Sequence, residues 1–126
     1  MFKVTATRHV LAVNNLQDAE AYFCNKLGFD VQFRTDGWVF LHLGSFNLML
    51  GHCPDEIPAS ATNDHAHFAY INCENIDEFY QDCLSRGASI CQEISDKPWG
   101  LREFGVITPE GHRMLFGEEL TPPKAD

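Results

Sequence analysis

Six histidines and five cysteines are the side chains best suited to chemistry in this sequence. His65 and His67 are placed to share one face of a strand, and a His-x-His pair can ligate a metal. His9, His42, His52 and His112 are scattered. As polar residues at a strand entrance, His65 and His67 need no ion, and no Asp, Glu or Cys is placed to complete a site with them. Cys24, Cys53, Cys73, Cys83 and Cys91 are odd in number and never spaced as CxxC. Neither a disulfide framework nor a zinc knuckle is indicated, and most of them read as small core hydrophobes. There is no GxSxG elbow and no phosphate-binding glycine loop. Three rings are more informative. Phe33 and Trp38 flank the turn Thr35-Asp36-Gly37, and Trp99 sits in Asp96-Lys97-Pro98-Trp99-Gly100, where a tryptophan has little core to join. Flat rings offered from two surfaces can stack an aromatic ligand; the other reading is that Phe33 and Phe40 are core and Trp38 is an edge residue.

The elements that must position these residues repeat. A helix over residues 16–27 carries Leu16, Ala19, Phe23 and Leu27 on one stripe, opened by Asn15 and closed by Gly28. A second, over residues 76–86, carries Ile76, Phe79, Tyr80, Cys83 and Leu84; Asn75 and Glu78 resemble a capping box, and Gly87 ends it. A strand precedes each helix (residues 4–13 and 67–72) and three follow it: 30–34, 38–43 and 47–51, then 89–94, 102–108 and 112–116. The two capping asparagines set a repeat of about 60 residues. The expectation is one α+β domain over residues 1–126: module 1 at about 1–53, a Pro- and Ala-bearing linker at about 54–64, and module 2 at about 65–120. Two βαβββ modules should pack as a curved mixed sheet around a cleft.

Composition narrows the function classes. The chain has 126 residues, enough for a core without staples, and 44% hydrophobic content, but no apolar run long enough to span a membrane. Its start lacks the pattern of a signal peptide, so a cytoplasmic location is expected. A net charge of −9 argues against a nucleic-acid partner and is compatible with a cationic ligand.

Motifs at both ends carry a family resemblance. Asn14-Asn15-Leu16, Tyr22-Phe23 and Leu27-Gly28-Phe29 resemble the start of the glyoxalase / bleomycin-resistance / extradiol-dioxygenase superfamily (vicinal oxygen chelate fold). Thr108-Pro109-Glu110-Gly111, Met114-Leu115-Phe116 and Glu118 resemble its end. Within it, Gly37-Trp38-Val39-Phe40-Leu41, Leu48-Met49-Leu50 and Lys97-Pro98-Trp99-Gly100-Leu101-Arg102-Glu103-Phe104 are similar to the bleomycin-resistance proteins. The resemblance implies a homodimer with clefts at the subunit boundary, often with the first strand exchanged, and rings at Phe33, Trp38 and Trp99 that sandwich a flat ligand such as a bleomycin-type glycopeptide. Metal enzymes of the superfamily use four ligand positions. Here those positions fall on Arg8, near Gly51, on His67 and on Leu115, so His67 alone matches. The reading is a binding protein with no metal, no cofactor and no catalytic residue. The alternative is a metal-dependent glyoxalase-type lyase or isomerase, or a dioxygenase.

Overall fold

In each half of the chain, apolar residues alternate along the strands on one side and recur at helical spacing on the other, and the two patterns meet in one core. The computed structural model describes residues 1–120, except for the side chains of residues 63–65. The first half runs β1 (His9–Val13), α1 (Leu16–Ala21) with a π turn (Tyr22–Lys26), β2 (Asp30–Thr35), β3 (Trp38–Leu43) and β4 (Phe46–His52). A 3-10 segment (Ala59–Ala66) leads to the second half: β5 (His67–Asn72), α2 (Ile76–Arg86), β6 (Ile90–Asp96), β7 (Leu101–Ile107) and β8 (Arg113–Glu119). The α+β class and the paired βαβββ modules match the sequence reading. Each module closes its own four-stranded mixed sheet, in the orders β1-β4-β3-β2 and β5-β8-β7-β6, with the first strand parallel to the fourth.

The helices pack on the same side of the strands as Leu11, Val13, Val39, Leu41, Leu48 and Leu50 in module 1, and Phe104, Val106, Met114 and Phe116 in module 2. Phe23, Leu27, Ile76 and Cys83 join that cluster from the helices. Tyr22 locks the modules together. Its hydroxyl donates to the Ile107 carbonyl and accepts from the Ser89 N–H, both at 2.9 Å.

The helix ends differ instructively. Asn15 caps α1 as expected, its Oδ1 accepting from the Asp18 N–H at 3.0 Å. Asn75 does not form the expected capping box: its backbone is left-handed (φ 61°) and its side chain makes no capping bond. Glu118 of β8 takes that role, accepting from the Ile76 N–H at 2.9 Å. A donor lacking a partner in the first turn can be satisfied by any nearby carboxylate, and the parallel β5–β8 pairing brings this one into reach. The helix expected over residues 16–27 widens to a π turn after Ala21. The first strand is shorter than the expected 4–13, and residues 1–8 form no regular element.

Candidate functional site

Because side chains alternate across a strand, the faces turned away from the core are defined by register. On the first sheet Trp38 pairs with Gly51, Phe40 with Met49, and Val10 with Met49, so these five residues share the outer face. Strict alternation would put Phe33 with Val31, opposite Leu41 on the core side. A bulge between Val31 and Phe33 shifts the register, and Phe33 instead faces Phe40. The two rings stack at 4.2 Å between centroids and 14° between planes. Arg8 covers Phe40 at 5.3 Å and donates to Gln32 Oε1 at 2.8 Å. Trp38 lies across Gly51, where an added Cβ would come within 2.8 Å of its ring carbons. The result is an aromatic surface on which Phe33 and Trp38 remain 49% and 37% exposed.

The second sheet presents a different face. Along β7, Phe104 and Val106 turn inward, so Glu103 and Gly105 turn outward. Trp99 sits in the β6–β7 turn and folds back along the strand, donating from Nε1 to Glu103 Oε2 at 2.8 Å. Tyr70 of β5 donates its hydroxyl to the same oxygen at 2.6 Å. Desolvation of that hydroxyl, then the bond to Glu103, pushes Tyr70 above the ordinary tyrosine pKa. Its ring crosses β8 where Gly117 leaves room, since a Cβ there would collide with the Tyr70 hydroxyl.

The Lys97-to-Phe104 segment is a device for holding that turn. Gly100 adopts φ 87°, and its N–H bonds to the Lys97 carbonyl at 3.0 Å. Arg102 reaches back to Asp96 at 2.6 Å and across to Asp77 at 2.8 Å. Phe104 anchors the segment by stacking on Phe116.

Three of the four metal-ligand positions carry side chains or backbone engaged elsewhere, and the fourth is His67. Arg8 covers a ring, Gly51 underlies Trp38, Leu115 fills the space beside Gly105, and His67 opens β5 as an exposed residue. The His65 side chain lies outside the described residues. Among the described residues, no three His, Cys, Asp or Glu side chains converge as a metal-holding group. Burial pushes the thiols of Cys24, Cys73 and Cys91 up, and that of Cys83 to about 12. None of these four is an activated nucleophile.

Phe33 and Trp38 therefore share one face, and Trp99 stands beside the other sheet. Sequence reasoning missed Tyr70 and Glu103. Tyr70 lies in a strand with no ring motif, although Glu103 belongs to the segment already singled out.

A family model described as the Glyoxalase/Bleomycin resistance protein/Dioxygenase superfamily matches residues 5–116. The chain belongs to that superfamily. A bleomycin resistance protein from Geobacillus stearothermophilus is 26% identical over 123 residues, covering 87% of this chain and 93% of its own. Among solved structures, TioX from Micromonospora sp. ML1 superposes with a TM-score of 0.76 at 24% identity, covering 93% of this chain and 100% of its own. TnmS3, an antibiotic binding protein from Streptomyces sp. CB03234, superposes with a TM-score of 0.75 at 17% identity, covering 94% and 98%. At these identities the structural likeness shows the fold of the superfamily. No helix among the described residues is long and apolar enough to cross a membrane.

Proposed function

We propose that this superfamily member binds a flat, cationic small molecule of the bleomycin type and sequesters it without chemistry or a resident metal. One observation carries the reading: large rings that a core would bury are instead left on outer sheet faces, Phe33 and Trp38 on the first sheet and Trp99, 63% exposed, beside the second. Leaving apolar area in water costs about 25 cal/mol per Å², so a face of this kind is usually a site of contact. The curated relative's name and the −9 charge support the same ligand class. Two such faces make a sandwich when two chains pair about a two-fold axis, each cleft taking one face from each subunit.

The test is calorimetric titration with a metal-free bleomycin-type glycopeptide. Trp99→Ala should weaken binding by about 1–3 kcal/mol, the range of a desolvated aromatic contact. Unchanged affinity in Trp99→Ala would remove this ring from the site.

A further inference from the structure

Glu103 is an unusual carboxylate. It is 4% exposed, faces away from the core, and receives two neutral donors on a single oxygen, Oε2. Among the described residues, Lys and Arg ion pairs go to Glu20, Asp77, Asp82 and Asp96, and none reaches Glu103. Burying a charge without a counter-charge is costly, and neutral hydrogen bonds offset only part of that cost. The two donors are also the two exposed rings of this sheet face, Tyr70 at 41% and Trp99 at 63%. Each ring is thus tethered by its polar edge to the carboxylate while the residue as a whole stays exposed.

We propose that Tyr70, Trp99 and Glu103 form a cation-reading corner that takes a permanently charged or protonated nitrogen group of a planar ligand. The rings supply the contact and the carboxylate at their polar edges supplies the potential. A cation within about 6 Å of a ring centroid is attracted by the ring quadrupole, and a buried charge nearby acts through a medium of lower effective dielectric than water. The net charge of −9 attracts any cation, whereas this corner fixes where on the ligand the charge must lie. Gly117 is part of the device, because only an absent side chain lets the Tyr70 hydroxyl reach Glu103.

This inference rests on the planar-ligand reading above, and its test separates the two. The full chain is titrated calorimetrically with two probes of nearly the same shape: N-methylacridinium, always charged, and acridine at mildly alkaline pH, where it is neutral. Native protein should prefer the charged probe by about tenfold or more, as expected for a partly desolvated cation beside a carboxylate. Glu103→Gln keeps an oxygen for both donors and removes the charge. It should abolish most of that preference while leaving acridine affinity within about twofold. Asp55→Asn, the same charge change on an exposed residue between the modules, should keep the preference. Equal losses for both probes in Glu103→Gln would show that Glu103 only holds the rings, and would overturn the proposal. So would a native protein that binds both probes equally, a result that needs no variant. Binding of neither probe would overturn the planar-ligand reading itself, and the corner with it.

Discussion

Gly51 and Trp38 show how one missing side chain shapes the surface of the first sheet. The indole lies where a Cβ of residue 51 would be, 2.8 Å from its ring carbons. Gly51 has no left-handed backbone to favour glycine, so the constraint is steric alone. Gly51→Ala should therefore displace Trp38, destabilising the fold by about 1 kcal/mol as an overpacking change and weakening planar-ligand binding. Urea denaturation and ligand titration check both, and native values for both would mean that the ring moves aside freely. A sequence pattern can flag glycine in a strand as a close-approach site, but it cannot say which ring approaches. Phe33 was legible as a turn-flanking ring. The face it occupies was not, because the bulge after Val31 inverts the alternation from which faces are read.

Elements were far more legible than their ends. Both β3 and β5, and the whole of α2, fall where periodicity and turn residues put them. These signals are local, set by side-chain alternation, helical spacing and glycine stops. The cap of α2 was misread because its true partner is distant. Glu118, forty-two positions beyond Ile76, satisfies the N–H that Asn75 leaves open. Glu118→Ala should lower stability by about 1 kcal/mol, the usual worth of a lost N-terminal cap, while Asn75→Gly should be neutral or stabilising at φ 61°. Chemical denaturation of the two variants distinguishes them, and the opposite order would restore the capping box. The π turn at Tyr22–Lys26 was likewise not legible. It opens on a tyrosine whose hydroxyl bonds two backbone groups of the other module, partners that no window of local sequence contains.

At the scale of the molecule, two helix-backed sheets leave their outer faces uncovered, and Phe2, Val4 and Val10 add exposed apolar area at the start of the chain. Pairing about a two-fold axis would cover part of this surface and bring the Phe33–Trp38 face of one subunit to the Trp99 face of its partner. Light scattering at micromolar concentration should give twice 14.3 kDa. A monomer at that concentration would leave the rings on separate sheets and remove the sandwich. The repeat was legible because each module repeats its signals in the same order. The relation between the modules rests on side chains such as Tyr22 and Glu110, whose carboxylate accepts from the Asn14 and Asn15 N–H groups, and their partners lie far along the chain.

Metal-free stacking of a planar cation is tested by the tryptophan fluorescence of chelator-treated protein during addition of metal-free bleomycin-type glycopeptide. Trp38 and Trp99 are the only two tryptophans, so both reporters lie on the proposed surfaces. Saturable quenching, unchanged by chelation and reduced in Trp99→Ala, is the expected result. Folded protein that shows no quenching, or quenches only after a divalent metal is restored, would rule out metal-free stacking.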